Sequence, residues 1–109
     1  MRAGLARTFV LVILTITAAG FGGVGTMAAD ADHGGDLARR WCAACHLVEG
    51  SQKQASADVL SFAEIARKSD FTPEKVAYFL LDPHPKMPNF PLSRSEAADI
   101  AAYIDSLRK

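Results

Sequence analysis

This sequence of 109 residues has no excess of charge of either sign, only two cysteines, and no segment in which apolar and polar residues alternate. Twelve basic and twelve acidic residues give a formal net charge of zero, and the absence of a basic stripe argues against a nucleic-acid-binding protein. The absence of alternating segments argues against β-strands, and no internal repeat is present. We therefore predict an all-α protein with one small domain.

Acidic residues are also absent before Asp30, where the chain instead has two arginines, Arg2 and Arg7. An apolar run over residues 9–19 follows, and then a stretch of small residues. A positive start, a short apolar segment and a small-residue cleavage zone are the parts of a secretory signal peptide. We therefore expect residues 1–29 to be a signal peptide and the protein to be exported to the periplasm.

The end of this leader admits two cleavage points, after Ala29 or after Ala31. Extension of the apolar run to Met27 gives a length of about 20 residues, which suffices for an uncleaved membrane anchor. The five glycines within residues 1–29 favour the cleaved form. The folded domain is expected to comprise residues 30–109, with ten basic and twelve acidic residues and a net charge of −2. His33 falls in its polar start and is expected to be simply exposed.

Start signals predict about four short helices in this domain. Asp36 follows a pair of glycines and is expected to begin a first helix that leads through Trp41 into the cysteine-containing segment. Ser61 and Glu64 form a capping-box pattern, which predicts a second helix that ends near Ser69.

The other two helices have equally clear start signals. Thr72 followed by Pro73 predicts a third helix that stops before Pro83. Ser93 and Glu96 form a second capping box, and apolar residues recur behind them with helical period to the end of the chain.

Both cysteines lie in the segment WCAACH, where two alanines separate Cys42 from Cys45 and His46 follows at once. C-x-x-C can be half of a zinc site, a redox dithiol or, before a histidine, a haem c attachment motif. Two intervening residues let both sulfurs reach the vinyl groups at one porphyrin edge and place the histidine under the iron. No βαβ pattern surrounds the motif, as a thioredoxin-like dithiol requires, so we interpret it as the attachment site of one haem c. Covalent haem would also stabilise a domain of roughly 80 residues, which seldom has enough core of its own.

Two loops of different character connect the predicted helices after the motif. Residues 48–56 are rich in Gly, Ser and Gln without apolar period, and we interpret them as an ordinary loop. The segment LDPHPKMPNFPLS, between the third and fourth helices, is stiffened by four prolines in nine residues. It contains Met87, the one methionine after residue 29, and a stiff loop reduces the entropy that a weak thioether ligand loses on binding iron. Met87 is therefore a candidate iron ligand, and His84 is its rival.

These features together resemble the small class I cytochromes c of the bacterial periplasm, over residues 34–108. The resemblance depends on a glycine eight residues before the first cysteine, the CAACH motif, the PHPKMP loop and the closing helix SEAADIAAYIDSL. It implies a small cytochrome c fold, about four short helices packed around one covalently bound haem. It implies thioether bonds to Cys42 and Cys45, His46 as the proximal iron ligand and Met87 as the distal one.

The resemblance also implies contacts inside the domain. Gly34 is expected to meet the last helix near Tyr103, where the two backbones come close. Relatives commonly have an aromatic residue four positions before the first cysteine, where this chain has Ala38. Leu37 or Trp41 is expected to fill that space.

A second departure concerns the orientation of the histidine. Many relatives have a proline after the motif whose carbonyl accepts a hydrogen bond from the histidine, and this chain has no proline between His46 and Pro73. A carbonyl near Val59 or Leu60 is expected to replace it, because the partner of a ligating imidazole fixes the orientation of its ring.

A haem iron with six protein and porphyrin ligands moves electrons and leaves no open position for a substrate. The first interpretation is therefore a monomeric periplasmic electron carrier, not an enzyme, between a donor dehydrogenase or membrane complex and a terminal oxidase or reductase. One alternative is a dedicated haem subunit of a single enzyme complex. Another is a haem sensor that binds a gas or peroxide, which requires that Met87 is not a ligand.

Overall fold

The computed structural model describes residues 27–82 and 86–109, and within these ranges the fold contains α-helices and no strand. The prediction of an all-α fold with four short helices is confirmed: α1 Ala31–Trp41, α2 Phe62–Ala66, α3 Pro73–Leu81 and α4 Arg94–Ser106. Most of the expected signal peptide, residues 1–26, lies outside the described residues, as does His84. Within the described ranges, no helix has the length and hydropathy that crossing a bilayer requires.

The predicted capping signals begin three of the four helices. Ser61 and Ser93 each accept a hydrogen bond from the backbone N–H of a glutamate three residues later, and that glutamate accepts one in return. These bonds hold the pKa of Glu64 and of Glu96 below its ordinary value. The side chain of Thr72 caps α3 by accepting a hydrogen bond from the N–H of Lys75, and proline occupies the first helical position.

The first helix begins five residues earlier than predicted, at Ala31 instead of Asp36. The cap is Asp30, whose carboxylate accepts hydrogen bonds of 3.0 Å from the backbone N–H groups of Asp32 and His33. Two glycines in succession suggested a frayed start, but here they lie inside the helix because they are needed for packing. The second helix is shorter than predicted and ends at Ala66.

The glycine that matters most is Gly34, where α1 crosses α4. A Cβ atom built on Gly34 would overlap the carbonyl group of Asp99, so the two backbones are in direct contact there. Gly34 meets the last helix, as expected, but the contact lies at Asp99, one helical turn before Tyr103. Tyr103 instead packs its ring against the neighbouring Gly35, 3.1 Å from a Cβ placed there.

The α1–α4 crossing is also held by a carboxylate. Asp99 Oδ1 accepts a hydrogen bond of 2.7 Å from the backbone N–H of Asp30, and Oδ2 accepts one of 2.7 Å from His33 Nδ1. The side chain of His33 is half exposed, as the sequence suggested. It also binds Asp99, which the sequence did not suggest. The hydrogen bond to Asp99 raises the pKa of His33 above its ordinary value of 6.5, and the charges of Asp30 and Glu96 act in the same direction.

The core is assembled on α4. The backbones of α1, α2 and α3 each come close to that of α4, and none of these three comes close to another. Ile100 and Ile104 of α4 are almost fully buried, and they belong to one cluster with buried side chains of α1, α2 and the segments next to them: Leu37, Ala38, Cys42, Val48, Phe62, Ala66 and Phe71. Ala38 is completely buried, Leu37 belongs to the same cluster, and the partly buried Trp41 packs against the cluster.

Substitution of Gly34 by Ala should destabilise the fold strongly, since the new methyl group meets backbone atoms that cannot rotate away. We expect a loss of about 3 kcal/mol in the free energy of unfolding, as for other overpacked sites. Gly50→Ala is the matched control because nothing lies within 4 Å of its added Cβ, and its change should stay below about 0.5 kcal/mol. Urea unfolding followed by circular dichroism measures both, and equal stabilities would contradict the crossing geometry.

The His33–Asp99 pair should make stability depend on pH in a defined direction. A raised pKa in the folded state means that the pair stabilises the fold fully below pH 6.5 and that the effect is lost as pH rises through the raised pKa. The difference in urea midpoint between the wild type and His33→Ala should therefore be larger at about pH 5.5 than at about pH 9. Asp99→Asn should remove the same pH dependence. An equal difference at both pH values would show that the ion pair contributes nothing.

Candidate haem site

The CAACH motif forms the turn by which the chain leaves α1. Cys42 is the C-terminal cap of the helix, and its N–H donates to the carbonyl of Ala38 at 2.8 Å. The N–H groups of Cys45 and His46 both donate back to the carbonyl of Cys42, at 3.1 and 2.9 Å. One tight turn therefore contains both cysteines and the histidine, at the helix end that the sequence predicted.

The two cysteines have different environments. Cys42 is buried in the core cluster and Cys45 is exposed, and both are free thiols. Burial raises the pKa of Cys42 to about 11, so this sulfur remains protonated at neutral pH. A redox dithiol or a zinc site requires thiolate. Among the described residues, no three His, Cys, Asp or Glu side chains converge as a metal site would require.

His46 is oriented by a backbone carbonyl, as the sequence analysis expected. Its Nδ1–H donates a hydrogen bond of 2.6 Å to the carbonyl of Leu60. This is one of the two residues, with Val59, near which the accepting carbonyl was predicted. The ring also packs against Phe62, with centroids 5.4 Å apart. With the proton on Nδ1, the lone pair of Nε2 is available to a metal, which is the tautomer that an axial imidazole needs.

The loop after the motif is organised by a residue that sequence reasoning missed. Gln52 Nε2 lies within 2.9 Å of the carbonyl oxygens of Ala43, His46 and Gln54, and its Oε1 accepts a hydrogen bond of 2.9 Å from the N–H of Val48. A glutamine in a segment of Gly, Ser and Gln gave no signal of this role. Its half-buried position depends on how the chain folds back after the motif.

Tyr103 connects this loop to α4. Its hydroxyl donates a hydrogen bond of 2.7 Å to the carbonyl of Val48, and its ring packs 6.4 Å from that of Phe62. Partial burial raises the pKa of Tyr103 above its ordinary value. Tyr103 thus acts as a packing and anchoring group.

Met87 lies in the loop between α3 and α4 and is half buried. Three residues later, Phe90 packs on Trp41 with ring centroids 5.7 Å apart, which joins this loop to the end of α1 next to Cys42. This aromatic pair connects the methionine loop to the helix end from which the CAACH turn begins. The rival ligand His84 lies outside the described residues.

Several large apolar side chains of the domain remain partly exposed. No residue of α3 is fully buried, although six of its nine residues are apolar. The side chains that remain substantially exposed include Leu47, Leu60, Tyr78, Phe79 and Leu81. Leu60 is the residue whose carbonyl holds His46. A flat apolar group with one metal coordination bond and two attachment points would fit these residues. The two thiols would attach it, the Nε2 lone pair would bind its metal, and the partly exposed apolar side chains would pack on it.

Comparison with known proteins agrees with this fit. The sequence profile of the family described as cytochrome c oxidase, cbb3-type, subunit III matches residues 29–104, most of the chain. The chain is also 71% identical over 82 residues to cytochrome c-552 of Bradyrhizobium diazoefficiens, which covers 75% of this chain and 79% of that protein. No solved structure matches the chain.

Both similarities are to haem proteins of electron transport, and both cover most of the domain in which the CAACH turn, the orienting carbonyl and the partly exposed apolar side chains were found. This chain belongs to that cytochrome c family, as a monohaem class I c-type cytochrome with one covalently attached haem c.

Proposed function

We propose that the haem is held by four side chains of this chain. Cys42 and Cys45 add their S–H bonds across the two vinyl groups, so that each forms one carbon–sulfur bond and its hydrogen passes to the neighbouring carbon. His46 Nε2 is the proximal iron ligand and Met87 Sδ the distal one. The observation that carries this proposal is the hydrogen bond from His46 Nδ1 to the Leu60 carbonyl, which leaves Nε2 as the metal-binding atom.

We further propose that the protein is a one-electron carrier and not an enzyme. His46 and Met87 would hold the haem iron through an imidazole and a thioether, and the haem would supply the redox chemistry, at a potential that this ligand pair raises. The protein contributes ligands, an apolar environment and a surface for docking. Donors would be a dehydrogenase or a membrane complex, and acceptors a terminal oxidase or reductase.

The periplasm is the proposed compartment. Two arginines, an apolar segment and a small-residue zone precede the domain, as in exported proteins. The position of Asp30 supports a domain that begins there, because this residue caps α1 and its N–H binds Asp99. A cut after Ala29 preserves both interactions, whereas a cut after Ala31 removes them.

The family description supports a second candidate. It names an oxidase subunit, and a haem subunit held permanently in one complex would have the same domain and ligands. Copurification separates the two: a carrier is recovered from a periplasmic extract without a stoichiometric partner, whereas a subunit is recovered with its enzyme.

Mass analysis of the N-terminus checks the proposed domain boundary. Protein produced with its own leader and recovered from a membrane-free periplasmic extract should begin no later than Asp30, because later cleavage deletes the helix cap. A cap of this kind typically contributes about 1 kcal/mol. A mature chain that begins at Asp32, or one found in the membrane with the leader attached, would contradict the proposal.

The ligand assignment predicts an optical signature. The ferric protein should show the weak iron–methionine charge-transfer band at the red edge of the visible spectrum, and Met87→Ala should abolish it. His84→Ala is the control and should keep the band, since this rival residue is not expected to bind the iron.

The opposite outcome would favour the sensor hypothesis. A wild type that lacks the band and whose reduced form binds carbon monoxide at neutral pH has an open or weakly held iron position. That result would replace electron transfer by gas binding as the function of this haem.

A further inference from the structure

The carboxamide of Gln52 bonds only to backbone groups, and these groups lie on both sides of His46. Nε2 is 2.9 Å from the carbonyl oxygen of Ala43, 2.8 Å from that of His46 and 2.8 Å from that of Gln54. Oε1 accepts from the N–H of Val48 at 2.9 Å. Three acceptors surround the nitrogen and one donor faces the oxygen, so only this orientation of the amide satisfies its partners.

Gln52 supplies the hydrogen bond to the carbonyl of His46 itself, whereas the carbonyls of its two neighbours, Cys45 and Leu47, accept from the N–H groups of Ser56 and Phe62. The imidazole is fixed from one side by the carbonyl of Leu60. The backbone N–H of His46 belongs to the turn closed by Cys42, and its carbonyl oxygen is bound by Gln52. The backbone on both sides of His46 is held as well, at Ala43 and Val48. Side chain and main chain are therefore fixed by separate groups.

We propose that Gln52 is a positioning residue for the proximal iron ligand, because it fixes the backbone from Ala43 to Val48 and thereby the direction in which His46 presents Nε2. The inference rests on the proposed function in one respect, that His46 ligates the iron. A ligating imidazole that changes its direction changes its interaction with the metal, since groups outside the coordination sphere set ligand orientation and strength.

Only a glutamine meets these requirements at position 52. Glutamate has the same shape, but its carboxylate would place an oxygen against three carbonyl oxygens and offers no donor. Methionine has a similar length without charge or strong hydrogen bonds, so it leaves the carbonyl of His46 and the N–H of Val48 without their partner. Gln52→Met therefore removes the bonds with little change in volume or charge.

The experiment compares haem-loaded Gln52→Met with Gln54→Met. Gln54 lies two residues away in the same loop, and its exposed side chain forms no hydrogen bond with the described residues. Two readouts report the axial imidazole more directly than stability does. These are the pattern of haem-methyl shifts in the proton NMR spectrum of the ferric protein, which depends on the plane of the imidazole ring, and the midpoint potential.

Gln52→Met should change both readouts, and Gln54→Met should leave both at the wild-type values. If Gln52→Met does not take up haem, Gln52→Glu is the second variant. Only the NMR pattern of Gln52→Glu is compared with the wild type, because its added charge alone would shift the potential. A Gln52→Met protein with a lowered unfolding temperature but wild-type shifts and potential would overturn the proposal and leave Gln52 as a loop-stabilising residue.

A measurement on the wild type keeps the inference testable if no variant folds. The carboxamide protons of Gln52 should exchange with solvent at least about tenfold more slowly than those of Gln54, since hydrogen-bonded groups exchange only when they open. Equal exchange rates would show that the network does not exist and would overturn the proposal. Failure of the His46 assignment is separate, because it would appear in the wild type as a ferric proton NMR spectrum without the strongly shifted signals of an iron-bound histidine ring, while the two glutamines still differ in exchange.

Discussion

The direct contact between the backbones of α1 and α4 at Gly34 is the constraint on which the rest of this structure depends. Two helices can approach so closely only where one of them has no side chain, and the carbonyl of Asp99 lies in the space that a Cβ would take. The crossing fixes the direction of α1 and therefore the point at which Cys42 leaves it. Because α2 and α3 also pack on α4, one helix positions the other three helices of the described domain.

The haem site itself is held mainly by backbone groups. The imidazole of His46 binds a carbonyl of the segment before α2, and Tyr103 and Gln52 bind backbone atoms of the loop that follows the motif. Backbone acceptors are present whatever the sequence, so a chain that lacks the usual proline can still orient its histidine with another carbonyl. This explains how the departure from the family pattern is accommodated without a change in the role of the motif.

The parts of this protein that sequence reasoning predicted are those encoded in short segments. Two capping boxes, the Thr-Pro start of α3 and the CAACH motif each specify their structure within five residues, and all of them formed as expected. The start of α1 was placed wrongly because glycines are poor helix formers when considered locally, whereas here the distant contact with Asp99 requires one. His33 and Gln52 were missed for the same reason, since their partners are set by the fold and have no signal in the neighbouring residues.

The position of Asp30 also limits how this domain could be attached to anything that precedes it. Its backbone N–H is bound at the α1–α4 crossing, so the compact unit begins at this residue with no flexible linker of its own. An apolar anchor that extended to Met27 would leave only Ala28 and Ala29 in between, a reach of roughly 10 Å at full extension. A domain on so short a tether would be confined to the membrane surface and could present its haem only to a neighbour in a fixed orientation. A carrier that travels between partners would therefore need such an anchor to be removed.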